Sequence, residues 1–201
     1  VGAVYTNGSK ARVSDATAVA KMVEEQEGIL VPGDSPFKTV QDFVAAWKAD
    51  PASVTIGGGS SPGGPDHLFP METAKAAGVD PAEVNFVSYD GGGDLLTALL
   101  GKKITVGTSG LGEFVDQIES GQLRVLAVSG SERVEDVDAP TLSEAGINLK
   151  KAFETPPAID LVTFIQGEGL LAYAEKGPQM SMQSWRDFED FVQGDAMLFA
   201  M

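Results

Sequence analysis

The chain has 201 residues and a formal net charge of −15 at pH 7, because 29 acidic residues outnumber 14 basic ones. This charge argues against nucleic-acid binding, which requires clustered Lys and Arg to neutralise phosphates. With no Cys and a single His, the chain also lacks the ligands of an ordinary zinc, iron or copper site. A hydrophobic content of 43% without a run of 18 apolar residues predicts a globular α/β protein with no membrane span.

Two short apolar segments open the chain and predict strands at residues 17–23 and 28–32. Apolar residues then recur at helical spacing over 40–49, immediately after Thr39, which predicts a helix with Thr39 as its N-cap. The chain begins at Val1 without a Met or a charged leader, so we expect its first domain to be truncated.

Strands and helices alternate from residue 53 onward, which favours parallel βαβ units. The predicted elements are strand 53–57, a helix ending near 77, strand 84–89, helix 93–100, strand 103–107, helix 111–119 and strand 123–128. Pro70 would remove a hydrogen bond from a helix that began at Asp66, so we expect that helix to begin later. Aromatic residues near the end of the chain predict a further helix over 182–193.

Three Gly-rich or Ser-rich loops follow predicted strands, at residues 57–67, 89–94 and 108–112. Ligands of open α/β sheets bind beyond the carboxyl ends of the strands. Glycine lets the backbone approach a ligand closely, and a following helix offers N–H groups without helical partners. Each loop alone is equally well explained as a tight turn, but three in corresponding positions favour a site for a carboxylate or phosphate.

The polar residues of the first loop allow two interpretations. Ser60 and Ser61 are either donors to a ligand or solvated turn residues, and His67 either contacts a ligand or caps and packs locally. A catalytic His would also require a nucleophile and an orienting acid, for which no recognisable spacing is present. Asp66 is interpreted as a favourable charge at a helix N-terminus. The loop has neither the Walker A nor the dinucleotide-binding sequence.

Several segments together resemble the substrate-binding receptors of tripartite tricarboxylate transporters, the Bug-type family. The first is Thr55-Ile-Gly-Gly-Gly-Ser-Ser-Pro-Gly-Gly-Pro-Asp-His-Leu68, and the second is the Tyr-x-Gly-Gly loop with its following helix at residues 87–101. Residues 118–128, 139–146 and 31–39 match further signatures of that family. Their common order over about residues 15–146 argues against a chance likeness.

This resemblance implies an α/β, type II periplasmic-binding-protein fold, with two lobes closing on a ligand cleft and the first lobe incomplete. Residues 1–35 would be a remnant of the first lobe and the crossing strand, and residues 36–130 the second α/β lobe. Residues 131–201 would supply a return segment and C-terminal helices, although 150–201 match the family poorly. Thr105 stands where the family often has Asp.

The resemblance also implies a set of ligand-binding residues. The N–H groups of Gly91, Gly92 and Gly93 would meet a ligand carboxylate. The polar side chains expected beside them are Ser60, Ser61, His67, Tyr89 and Ser109, with residues 5–7 as a ligand-facing loop of the first lobe.

The implied function is that of an extracytoplasmic solute-binding receptor. It would capture a small organic carboxylate without catalysis or a cofactor, and deliver it to the membrane permease subunits of a transporter. Two alternatives stay open at this stage. One is an enzyme acting on a carboxylate or phosphate ester with Ser60 or Ser61 and His67, and the other is a sensory module of the same fold.

Overall fold

The computed structural model describes residues 25–149 together with Gly8 and Lys10. Within this part, five strands form one sheet in the order β3-β2-β4-β1-β5. The strands are β1 (Glu27–Pro32), β2 (Thr55–Gly58), β3 (Asn85–Ser88), β4 (Val106–Gly110) and β5 (Leu123–Val128). The predicted strand 17–23, the predicted loop 5–7 and the predicted helix 182–193 lie outside the described residues.

Four α-helices connect the strands: α1 (Val40–Ala49), α2 (Pro65–Ala77), α3 (Gly92–Leu100) and α4 (Val115–Glu119). Single 3₁₀ turns lie at Pro51–Ser53, Pro81–Glu83 and Leu111–Phe114. The predicted N-cap of α1 is confirmed, since the Thr39 hydroxyl accepts the N–H of Asp42 and the Asp42 carboxylate accepts the N–H of Thr39. None of the described helices is long and apolar enough to cross a membrane.

The sheet separates two apolar clusters. Ile29 and Val31 point to one face of β1, where they pack with Phe43 and Trp47 of α1, whose rings stack 4.8 Å apart. Leu30 points to the opposite face and packs with Leu95, Leu99 and other residues of the second cluster. Because alternate residues of a strand face opposite sides, the continuous apolar run of β1 serves both clusters at once.

The strands predicted from residue 53 onward, β2 to β5, all run in the same direction, as expected for βαβ units, whereas β1 runs against them. Strand β2 is parallel to both β3 and β4, but β1 runs antiparallel to β4 and to β5. The apolar run of β1 predicts burial on both faces, which a central strand needs in either direction. The apolar pattern of β1 therefore does not predict the direction in which this strand runs.

Strand 103–107 is displaced in the structure, where β4 covers residues 106–110. The N–H groups of Lys102 and Lys103 close the end of α3 on the carbonyls of Leu99 and Ala98. Lys102 takes a positive φ of 53° in this turn. These bonds hold the residues in the helix terminus and shift the strand toward the loop predicted at 108–112, so Thr108, Ser109 and Gly110 belong to β4.

The expectation that α2 begins beyond Asp66 is also wrong. The helix begins at Pro65 and continues through Pro70. Pro70 has no N–H for the carbonyl of Asp66, four residues earlier. That carbonyl instead accepts the hydroxyl of Thr108 at 2.7 Å, so a side chain of β4 supplies the missing donor.

Candidate functional site

The three predicted loops meet at the carboxyl ends of β2, β3 and β4. The N–H of Tyr89 donates to the carbonyl of Gly58 at 2.8 Å. The Ser88 hydroxyl donates to the carbonyl of Ser60 at 2.8 Å and joins the second loop to the first. Thr108 in the middle of β4 donates to the carbonyl of Gly57 at 3.3 Å. The edge of the sheet predicted to hold the site is therefore one connected surface.

Glycine is favoured where the first two loops touch. A Cβ atom on Gly59 would lie 3.1 Å from the carbonyl carbon of Gly91 and 3.2 Å from the nitrogen of Gly92. Gly91 has a φ of 140°, a conformation that residues with a side chain rarely adopt. The two loops thus approach backbone to backbone, and the contact places the start of α3 beside β2.

The N-terminus of α3 presents backbone donors to this surface. Gly91 is its N-cap, and no described side chain caps it. The N–H groups in the first turn of a helix have no helical partners, and the helix dipole is positive there. Gly93 is exposed, and nothing lies within 4 Å of where its Cβ would be. A cavity of about 240 Å³ opens here between the starts of α3 and α4, with Gly92 and Gly93 in its wall.

Asp66 supports the first loop from the first turn of α2. Its side chain is buried, and Oδ2 accepts the N–H of Gly59 at 2.8 Å. Burial raises the pKa of Asp66, although hydrogen bonding from Ser109, Gly59 and Ser60 acts in the opposite direction. The position matches the interpretation of Asp66 as a helix-terminus residue, and the bond to Gly59 adds a role in holding the loop.

The predicted serine ligands occupy three different environments. The Ser60 hydroxyl oxygen is buried and has no partner at hydrogen-bond geometry among the described residues, although it lies near enough to Asp66 to help lower the pKa of that carboxyl. Ser61 is exposed, whereas Ser109 is buried in β4 with an exposed fraction of 2%. Tyr89 packs on the second apolar cluster, with its ring beneath Gly57.

His67 is held by local contacts. Its Nδ1 accepts the N–H of Gly63 at 3.2 Å, and its ring meets Phe86 edge to face at 4.8 Å. Burial lowers the pKa of His67, so the ring is neutral at pH 7. A neutral ring that accepts at Nδ1 carries its proton on Nε2. His67 therefore has one donor left for a further partner.

Residues 3–165 match the family described as tripartite tricarboxylate transporter family receptor, TctC. The chain belongs to this receptor family. A relative from Cupriavidus necator, the UPF0065 protein in the gbd 5′ region, is 32% identical over 140 residues, which are 68% of this chain and 41% of the relative. A UPF0065 protein of Agrobacterium vitis, from the TAR-I ttuE-ttuC′ intergenic region, is 27% identical over 146 residues, 72% of this chain and 41% of the relative. The chain thus spans about two fifths of the length of the curated relatives it matches.

Solved structures of the family share the fold. A TctC solute-binding protein from Polaromonas is 25% identical with a TM-score of 0.57, covering 85% of this chain and 57% of its own. The periplasmic binding protein BugD is 20% identical with a TM-score of 0.59, covering 89% of this chain and 66% of its own. The predicted family and the predicted type II periplasmic-binding-protein class are confirmed. The boundaries at residues 35 and 130 and the individual ligand contacts stay predictions.

The candidate site also contains acidic residues that the sequence pattern did not single out. Glu25 accepts the N–H of Gly112 through Oε1. The Glu113 carboxylate occupies the space beside Gly92, where a Cβ would collide with it. Glu27 begins β1 opposite Gly110 of β4. Burial, followed by the negative charges of Asp66 and other acids, raises the pKa of Glu27 to about 8. An acidic residue opening an apolar strand was the one sequence signal for this position.

Proposed function

We propose that this chain is part of an extracytoplasmic receptor that captures a small organic carboxylate and passes it to the permease subunits of a tripartite tricarboxylate-type transporter. The observation that carries the proposal is the start of α3, a helix terminus without a side-chain cap that opens into a cavity between the second and third loops. Oriented N–H groups at such a terminus bind anions. The chain's membership of the TctC family supports transport as the purpose of this binding.

Binding in this proposal is reversible and non-covalent. The N–H groups of Gly91, Gly92 and Gly93 would hold one carboxylate, with the remaining donor of His67 and the Ser60 hydroxyl close to the neighbouring loop. Ser61, Tyr89 and Ser109 complete the proposed contacts. Structures of Rpa4515 with adipate and of MatC with malate, both from Rhodopseudomonas palustris, share the fold and suggest dicarboxylates as first candidates.

The enzymatic alternative finds no support in the contacts of His67. Its Nδ1 is occupied by the N–H of Gly63, whereas in a nucleophile triad an acid orients the ring through one nitrogen. In residues 25–149, no hydrogen bond joins His67 to Ser60 or Ser61. The geometry thus favours a binding role for these side chains.

Thermal unfolding of the full chain, with adipate, malate and other small carboxylates added in turn, tests the proposal. A ligand that binds only the folded state raises the midpoint by mass action, by an amount that grows with its concentration. Gly93→Leu should abolish the rise, because its side chain would enter the cavity beside the N–H donors.

Thr97→Leu is the matched control. Thr97 is also exposed on α3, one turn further along, and it does not line the cavity. This variant should keep the rise. A chain that responds to no carboxylate, or Gly93→Leu and wild-type chains that respond alike, would overturn the proposal.

A further inference from the structure

The cavity at the start of α3 is lined by acids of the chain itself. Its wall is formed by α3 on one side and by the turn and helix that follow β4 on the other. The charged residues in its described lining are Glu113 and Asp116, and both are exposed. A ligand carboxylate that enters the cavity therefore meets charges of its own sign, and the position of each acid decides how strongly the two interact.

The Glu113 side chain reaches across the cavity to the first residue of α3. A Cβ atom on Gly92 would collide with Oε2 of Glu113 and would lie 2.9 Å from its carboxyl carbon. Gly92 is the first residue of α3, directly after the N-cap Gly91. The carboxylate thus lies against the backbone of the helix terminus, in space that the missing side chain of Gly92 leaves open.

This is a favourable position for a negative charge. The partial positive charge at a helix N-terminus attracts carboxylates, and α3 has no side-chain cap among the described residues. The carboxylate of Glu113 accepts no hydrogen bond and forms no ion pair within residues 25–149. Because the side chain is also exposed, little holds it in place. Glu113 therefore lies at the terminus in a form that can be displaced.

We propose that Glu113 is an internal competitor for the ligand, whose carboxylate lies beside Gly92 in the free chain and moves into solvent when a ligand carboxylate binds there. This inference rests on the proposed function and adds a control of affinity to it. The charge of a helix N-terminus is about half an elementary charge, which does not compensate two adjacent carboxylates. The ligand's affinity is therefore reduced by the favourable interaction that Glu113 gives up. When the ligand leaves, the carboxylate of Glu113 returns to the terminus.

Three variants separate competition at the terminus from general repulsion by the cavity wall. Glu113→Gln removes the charge and nearly keeps the size of the side chain. Glu113→Asp keeps the charge but is one methylene shorter, so its carboxylate is withdrawn from Gly92. Asp116→Asn is the matched control, because it removes the same charge from the same wall without a contact to Gly92.

Calorimetric titration of each full chain with adipate and with malate tests the inference. Glu113→Gln should bind about twofold to fivefold more tightly than wild type, the factor that a charge at a helix terminus supplies. Glu113→Asp should also bind more tightly, whereas Asp116→Asn should bind like wild type. Without ligand, Glu113→Gln should unfold at a slightly lower temperature, because α3 loses its favourable charge. A loss of stability together with a gain in affinity is not expected from a residue with a structural role alone.

The outcomes separate this inference from the proposed function. Equal gains in Glu113→Gln and Asp116→Asn, with wild-type affinity in Glu113→Asp, would overturn competition, because repulsion by the wall would explain the result. Unchanged or weaker binding in Glu113→Gln would overturn it as well, and in both cases the receptor function stands. No response of any variant to adipate, malate or the other small carboxylates would overturn both.

Discussion

The hydroxyl of Thr108 donates a 2.7 Å hydrogen bond to the carbonyl oxygen of Asp66. Pro70 cannot supply the N–H that this carbonyl would receive in a regular helix. A strand side chain therefore completes the helix, and the same hydroxyl also approaches the carbonyl of Gly57 at the end of β2. The buried Thr108 hydroxyl therefore links the start of α2, which carries Asp66 and His67, to strands β2 and β4.

Thr108→Val should destabilise the chain by about 1–3 kcal/mol, because it leaves the buried Asp66 carbonyl without a donor. Urea unfolding measures the loss. Thr97→Val is the control, since the Thr97 hydroxyl donates to the carbonyl of Gly93 on the exposed side of α3 and its removal should cost less than about 0.5 kcal/mol. Equal losses in the two variants would contradict the assigned role of Thr108.

Gly59→Ala should destabilise the contact between the first two loops by about 1–3 kcal/mol, because the added methyl meets backbone atoms of Gly91 and Gly92 that have little room to move. Chemical unfolding of the chain without ligand measures this loss in the free energy of unfolding. Gly93→Ala places the same methyl group in open space and should change the free energy of unfolding by less than about 0.5 kcal/mol. The prediction fails if Gly59→Ala is as stable as Gly93→Ala.

Stability should fall as pH decreases through the range in which His67 titrates. The pKa of His67 lies below its ordinary value of 6.5 in the folded chain, so the unfolded chain binds the proton more readily. The stabilisation is fully present above the unfolded pKa and is lost as pH falls through the folded pKa. Protonation would also remove the acceptor for the N–H of Gly63.

Proton NMR follows this titration directly, because His67 is the only His in the chain. Its folded midpoint should lie below that of the urea-unfolded chain. His67→Gln cannot titrate and should show a weaker decline in stability between about pH 7 and pH 5. A folded midpoint at or above the unfolded one would contradict the assigned burial of the neutral ring.

The free chain should lose stability as pH rises from about 4.5 to about 8, the ordinary and the raised pKa of Glu27. Over this range the folded chain holds a proton that the unfolded chain releases, so the unfolded state becomes more stable relative to the folded state as pH rises. Glu27→Gln removes this dependence and should be more stable than wild type at pH 8 by about 1–3 kcal/mol.

Urea unfolding of the two chains at pH 5 and pH 8 measures this difference without any ligand. Asp80→Asn removes one exposed charge from a site remote from the sheet edge and should leave the pH dependence unchanged. A wild-type curve parallel to that of Glu27→Gln would show that Glu27 titrates normally.

Much of the element order could be predicted because its signals are local. Strand β5 lies at 123–128 as predicted, and α1 follows the cap at Thr39. The displacement of β4 was not predictable from the apolar pattern, since the turn after α3 depends on backbone bonds from Lys102 and Lys103. The start of α2 was not predictable for a related reason. The donor that replaces the missing N–H of Pro70 comes from Thr108, which is 38 positions further along the sequence.

The sequence by itself determined the first two Gly-rich loops, the helix at 92–100 behind the second one and the family likeness, because these are patterns of neighbouring residues. Only the tertiary structure decided that Glu27 belongs beside them. Strand β1 runs antiparallel to β4 and places Glu27 opposite Gly110, next to acids from two other segments. Glutamate is charged at neutral pH in water, and burial among like charges favours its neutral form instead. That environment arises from packing between distant segments, so the charge of Glu27 cannot be deduced from its neighbours in the sequence.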